Sequence, residues 1–242
     1  MGLGRWCDTY CLPLPMHLGL RHNHVMAKII SIVQVKGGAG RSTLSTNLAG
    51  ELAKSGYVVL LDCDMPQGTS ASWYAVRQEL RGGELVQHLE LDTASSHADL
   101  IAKVQKHEGA DFIVIDCPPR IAEITRAALV LADMTLVPVG ASLPELWASS
   151  DVVALVEEAR KVGPVDANVV WTRFRANTKS ARELSAMAAQ EIGLPIMSSA
   201  LALRVAYPDA MGEGLTVAEV GDKAAKTELL ALLTEIDIHM NV

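Results

Sequence analysis

A glycine-rich stretch constrains this chain more than any other: Val35-Lys36-Gly37-Gly38-Ala39-Gly40-Arg41-Ser42-Thr43. Val35 closes an apolar run that begins at Ile29, and Leu44 opens helical spacing that runs to Lys54. Leu44, Leu48 and Leu52 share a face with Ala49 and Ala53, and Gly56 is expected to stop that helix. A strand feeding a glycine turn that opens a helix is a phosphate cradle. The glycines let successive backbone N–H groups converge on an anion, and the helix N-terminus adds partial positive charge. The common form of such a loop is G-x-x-x-x-G-K-S/T. Here Val35 stands at the first glycine position, Lys36 directly follows it, and Arg41 stands at the lysine position.

The rest of the chain repeats the strand-then-helix pattern. Apolar runs at 57–61, 112–115, 135–139 and 168–171 read as buried strands, with a shorter strand near 85–89 and an extended piece around 195–197. Between and after them, helical patterns fall at 69–80, 98–107, 121–131, 144–162, 179–192, 205–211 and 223–238. This alternation predicts an α/β fold: one domain over 26–242 with a doubly wound, mostly parallel sheet. Half of the residues are hydrophobic and few are aromatic, which suits helices packed on both faces of a sheet.

Net charge is −7, so the molecule as a whole is not a basic nucleic-acid binder, and any DNA contact must come from a local patch. No apolar run reaches the ~18 residues of a membrane span. Four cysteines, Cys7, Cys11, Cys63 and Cys117, are expected as reduced thiols. Residues 1–25 lack periodicity. Cys7, Cys11, His17, His22 and His24 approach zinc-ligand spacing, but a disordered extension, or a start upstream of the natural one at Met26, fits them better. They do not make a signal peptide, because Pro13, Pro15 and His17 break the apolar part.

In open α/β sheets the ligand sits beyond the carboxyl ends of the strands. Three such ends carry chemistry: the 36–43 loop, Asp62 and Asp64, and Asp116. Backbone amides and cations hold phosphates, a hydroxyl such as Ser42 binds magnesium, and carboxylates hold the ion's waters or orient an attacking water. The loop resembles the deviant Walker motif K-G-G-x-x-K-S/T of the ParA/MinD family of ATPases. The resemblance continues through Asn47-Leu48-Ala49, 62–68, Ile115-Asp116-Cys117-Pro118-Pro119, Leu136-Val137-Pro138-Val139, Arg204-Val205-Ala206-Tyr207 and Gly214-Leu215-Thr216-Val217. It looks like the short ParA form, which includes plasmid-partition and McdA-like carboxysome-positioning proteins.

The resemblance implies a nucleotide-sandwich homodimer with ATP and Mg²⁺ as cofactors. Lys36 would reach the partner's phosphates, Gly37, Gly38, Ala39, Gly40, Arg41, Ser42 and Thr43 would hold the nucleotide, and Ser42 with Asp116 would bind Mg²⁺. Asp62 would orient the attacking water. Four departures from the pattern bear on activity. Arg41 replaces a compact ammonium with a planar fork, which predicts slow hydrolysis. The family's D-x-D-P-Q reads Asp62-Cys63-Asp64-Met65-Pro66-Gln67, so Asp62 is favoured for the water-orienting role only if Met65 is accommodated by a bulge, with Asp64 as the alternative. Thr172 stands where an adenine-contacting Asn is usual, and Arg120 where a small residue is usual.

Arg173, Arg175, Lys179 and Arg182, with Arg204, Lys223 and Lys226 further on, are the candidate phosphate-binding cations for nonspecific DNA, in the third of the chain where the resemblance places such contacts. The expected partners are a second copy, DNA, and a ParB-like or adaptor protein that stimulates hydrolysis. The tail 229–242 has no Lys or Arg, so a MinD-like membrane helix is not expected. Nor is an iron–sulfur reductase, since Cys63 and Cys117 read as small buried residues. The location implied is cytoplasmic and nucleoid-associated. Two functions stay open: an ATPase that partitions DNA or positions a protein cargo, and a catalytically weak, nucleotide-gated dimer acting as a regulatory binding module.

Overall fold

The computed structural model describes residues 26–175, Ala188 and 191–241. Parallel strands form one seven-stranded sheet in the order β3-β2-β4-β1-β5-β6-β7. In chain order the elements are β1 (Lys28–Ile32), α1 (Arg41–Leu52), β2 (Val58–Asp62), α2 (Thr69–Glu79), a 3-10 segment (Leu80–Val86), β3 (Leu89–Thr93) and α3 (His97–Lys106). They continue with β4 (Phe112–Asp116), α4 (Glu123–Leu131), β5 (Met134–Gly140), α5 (Leu143–Trp147), α6 (Ser150–Arg160), β6 (Ala167–Phe174), β7 (Ile196–Ala202), α7 (Ala206–Gly212) and α8 (Lys223–Met240).

The period of two along each strand divides the core between the sheet's faces. In β2, Val58 and Leu60 face the core that also holds Leu44 and Leu48 of α1, Trp73 of α2 and Leu229 of α8, whereas Val59 and Leu61 face the core that holds Leu100, Leu129 and Leu155 of α3, α4 and α6. Ser31 is the buried polar residue of β1, and its hydroxyl pairs with that of Thr135 at 2.7 Å. At the edge, Asp92 of β3 accepts from Lys103 and Lys106 and pairs with His107, which ties α3 to the outermost strand.

Four expectations are corrected. The strand placed near 85–89 is a 3-10 segment, and β3 starts only at Leu89. The helix expected over 144–162 is two, broken after Trp147. Ser142 caps the first of them, and Ser142-x-x-Glu145 is the capping-box spacing that marks this start. The extended piece around 195–197 is a full strand, β7, paired with β6. Gly56 does not end α1, which stops at Leu52; a Cβ at Gly56 would lie 2.7 Å from Asp111 Oδ2, the oxygen that accepts from the Tyr57 amide. The predicted helix 179–192 lies largely outside the described residues, as do residues 1–25.

The C-terminal segment is bolted to α1 and α2. Asn47 Oδ1 accepts from the Val217 amide at 2.7 Å, and Trp73 Nε1 donates to the Leu215 carbonyl at 3.0 Å. Buried Arg77 donates to both oxygens of Glu219 at 2.8 and 2.9 Å. Burial works to raise the Glu219 carboxyl, but hydrogen bonds from Arg77 and the Thr216 amide prevail and hold it down at about 2. Gly214, at φ +69, fits because a Cβ there would lie 2.6 Å from the Arg77 backbone nitrogen.

Candidate nucleotide site

The carboxyl ends of β1, β2, β4, β5 and β6 meet around the glycine loop. Gly38 (φ 73) and Gly40 (φ 96) hold the left-handed backbone that lets the loop curl into the start of α1. α1 begins at Arg41, so the amides of its first turn have no partners within the helix and are free for an anion.

Arg41 is turned inward and only 7% exposed. Its Nη1 donates to the carbonyls of Gln34 and Lys36, both at 2.7 Å, and its Nε to the carbonyl of Cys117 at 2.9 Å. One guanidinium thereby braces the start of the loop against the end of β4. Burial pulls its pKa below the usual arginine range, while the charges of Asp116 and Asp64 oppose that pull.

Asp62 and Asp116 are register partners at the ends of β2 and β4. Asp62 is fully buried, and both of its oxygens are used locally: Oδ1 accepts from the Asp64 amide at 3.0 Å and Oδ2 from the Ala71 amide at 2.9 Å. It holds the first turn of α2 in place. Asp64 is also buried, yet its carboxylate makes no hydrogen bond among the described residues. Burial raises its pKa, and Arg41 counters that rise.

Asp116 accepts from Ser70 Oγ at 2.7 Å through Oδ2, and Oδ1 is buried without a hydrogen-bond partner. Burial pushes this carboxyl up to about 6, opposed by the Ser70 hydrogen bond and by the nearby Ser42 hydroxyl. A buried carboxylate oxygen without a donor, on the same group that Ser42 approaches, is the environment a hard divalent cation fits. Ser42 and Asp116 therefore match Mg²⁺ in donor type.

Lys36 lies on the loop's rim, with Nζ 3.1 Å from Glu145 Oε1. Arg173 Nη2 reaches the same oxygen at 2.9 Å. Beside the loop is a cavity of about 250 Å³, between Gly38–Gly40 on one wall and Thr172, Arg204, Tyr207 and Pro208 on the other. Thr172 Oγ1 donates to the Ala39 carbonyl at 3.1 Å, so it supports the loop directly. Arg120 is exposed after Pro119 and acts electrostatically on Asp64.

The described candidate cations differ in what they touch. Arg173 pairs with Glu145 over the cleft, and Arg204 is bidentate on Glu228 with Asp222 at 3.8 Å. Lys223 and Lys226 are exposed on the first turn of α8, beside that Asp222 cap, and neither makes an ion pair among the described residues. Arg175 is exposed just past β6; Lys179 and Arg182 lie outside the described residues. Cys63 and Cys117 are both free and buried, and burial raises both thiols far above their usual range. Two site residues escaped the sequence reading, Ser70 and Glu145. The Ser142-x-x-Glu145 spacing could have marked the helix start that carries Glu145, but not what its carboxylate touches.

A family profile described as ATPase MipZ matches residues 28–187, more than half of the chain. The chain belongs to the MipZ family of ATPases. Among its relatives, the maintenance of carboxysome distribution protein A of Halothiobacillus neapolitanus is 29% identical over 213 residues, covering 86% of this chain and 95% of that protein. The chromosome-partitioning ATPase Soj of Thermus thermophilus is 28% identical over 217 residues, covering 78% of this chain and 87% of Soj. The structure of an McdA variant from Cyanothece in complex with ATP superposes with a TM-score of 0.71 at 18% identity, covering 88% of this chain and 97% of that one. The family resemblance drawn from the motifs therefore holds: the chain is a ParA/MinD-type, McdA-like ATPase. None of the described helices is long and apolar enough to cross a membrane.

Proposed function

We propose that this chain is a nucleotide switch: it binds Mg²⁺–ATP, pairs with a second copy, holds DNA nonspecifically as the dimer, and lets go on slow, partner-stimulated hydrolysis. Its cargo would be a plasmid, a chromosome or a protein assembly, in keeping with the names of its relatives. The observation that carries this reading is the buried Asp116 Oδ1 without a partner, on a carboxylate shared with Ser42 at the mouth of a glycine cradle.

The backbone amides from Gly38 to Thr43 would cradle the phosphates, and Ser42 and Asp116 would hold Mg²⁺. Bound there, the ion supplies positive charge that offsets the charge developing on the transferred phosphoryl group. Lys36 would reach across to the partner's phosphates. Between the two aspartates, Asp64 rather than Asp62 is the better candidate to orient water, because both Asp62 oxygens already hold backbone amides. Arg41 acts as a brace, and its three carbonyl bonds favour slow turnover. The DNA-contacting cations are proposed at Lys223 and Lys226, with Arg175 and Arg204 nearby in sequence or space. A ParB-like or adaptor protein completes the cycle at the nucleoid.

The Arg41 brace also favours the second reading, a dimer that binds nucleotide with little hydrolysis. Steady-state ATP turnover, nucleotide affinity and retention on DNA at low salt separate the two. Turnover above that of Lys36→Ala, and DNA retention with ATP that drops in a Lys223→Glu plus Lys226→Glu variant, support the positioning ATPase. Turnover equal to Lys36→Ala with affinity intact supports the binding module. Absence of Mg²⁺-dependent nucleotide affinity rejects both.

A further inference from the structure

Lys36, the lysine assigned above to the partner's phosphates, is already engaged within its own protomer. Its ammonium and the guanidinium of Arg173 converge on one oxygen of Glu145, at 3.1 and 2.9 Å. The sheet order explains how they meet. β5 lies between β1 and β6, so the helix that follows β5 carries Glu145 between the loop leaving β1 and the end of β6. Two further features are fitted to this contact. A Cβ at Gly140 would lie 2.7 Å from Arg173 Nη2 and 2.9 Å from Glu145 Cδ, so the bare backbone there gives both side-chain ends room to meet over the end of β5, and a methyl group would displace them. Arg173 is the single non-glycine residue with positive φ among the described residues, at 53°. Such backbone is unfavourable for a side-chain-bearing residue and persists where its surroundings impose it.

We propose that Glu145 is a positioning residue for Lys36, a latch that holds the lysine in cis and that must open before the lysine can serve a second protomer. The proposal rests on the nucleotide-switched dimer proposed above and names the side chain that sets its threshold. Glu145 is mostly shielded and Lys36 partly exposed, so the ion pair is of the modest kind, and opening it changes equilibria by roughly two- to five-fold. That suits a contact released on each cycle. Arg173 sharing the same oxygen keeps Glu145 charged and placed after the lysine leaves.

Two readouts test this in the full chain. The first is the rate at which Lys36 is acylated by a limiting amine-reactive ester in the nucleotide-free protein, followed by peptide mapping. The second is the protein concentration at half-dimerisation with Mg²⁺ and a slowly hydrolysed ATP analogue, from sedimentation velocity. Glu145→Gln, which removes the charge, and Gly140→Ala, which wedges the cluster apart with every charge retained, are each expected to speed Lys36 acylation two- to five-fold. Both are expected to lower the half-dimerisation concentration by a similar factor. In a Lys36→Ala background, Glu145→Gln should no longer shift dimerisation. Unchanged acylation in both variants overturns the latch. Faster acylation with unchanged or weaker dimerisation overturns its role as the threshold. Wild-type protein that never pairs with nucleotide, while its variants acylate faster, refutes the dimer reading and with it the threshold.

Discussion

Arg41→Lys asks the loop to trade a brace for a mobile cation. Two of the three Arg41 bonds, those to the Gln34 and Lys36 carbonyls, are made by Nη1 at the end of the side chain, where an ammonium can stand in. The third leaves from Nε, and lysine has no nitrogen there, so the Cys117 carbonyl at the end of β4 loses its charged donor. A hydrogen bond to a charged group contributes about 1.5–3 kcal/mol, and the site is almost shut off from water. For a chain of this size each kcal/mol moves Tm by roughly 2–4 °C, so the nucleotide-free variant should melt about 3–12 °C lower. At the same time the compact ammonium, free to turn toward phosphate, should raise steady-state turnover. Calorimetry without nucleotide and a phosphate-release assay on the same preparation read the two effects. An unshifted Tm would refute the brace, and a lowered Tm with unchanged turnover would show that Arg41 does not limit hydrolysis.

Ser70→Ala removes the donor to Asp116 Oδ2; Mg²⁺-dependent affinity for an ATP analogue should fall several-fold, as read by fluorescence titration, and the nucleotide-free Tm should fall by a few degrees because a buried carboxylate loses its donor. Gly214→Ala must place a Cβ against the Arg77 backbone at positive φ; it should cost at least about 2 kcal/mol in urea unfolding. Glu219 is held at about 2, below its usual value of 4.5. Its contribution is therefore complete above pH 4.5 and fades as pH falls through about 2. Glu219→Gln should cost on the order of 2–3 kcal/mol at neutral pH, with the gap to wild type narrowing between pH 4.5 and 2; a gap that stays constant with pH would locate its cause elsewhere.

Local patterns were enough to read the architecture. Strand runs alternate with helices whose apolar faces have the right period, and a parallel sheet is what buries both. The misplacements fall where local pattern is weak. The edge strand β3 is half-exposed and carries Glu90 and Asp92 among its apolar residues, which blurs its start. The break after Trp147 interrupts no apolar periodicity, so one long helix and two short ones look alike.

The glycine loop, Ser42 and the strand-end carboxylates are legible in the chain alone, because a phosphate cradle is a local object: its glycines, hydroxyl and helix start are neighbours along the chain. What each charged side chain does is settled by packing. Asp62 and Asp64 are two residues apart, yet one holds backbone amides and the other has a carboxylate without a hydrogen bond among the described residues. Arg41 reaches a carbonyl at the end of another strand, and Lys36, Glu145 and Arg173 meet because β1, β5 and β6 are adjacent in the sheet. Those pairings follow from strand order, and strand order is set by how helices pack across the whole sheet.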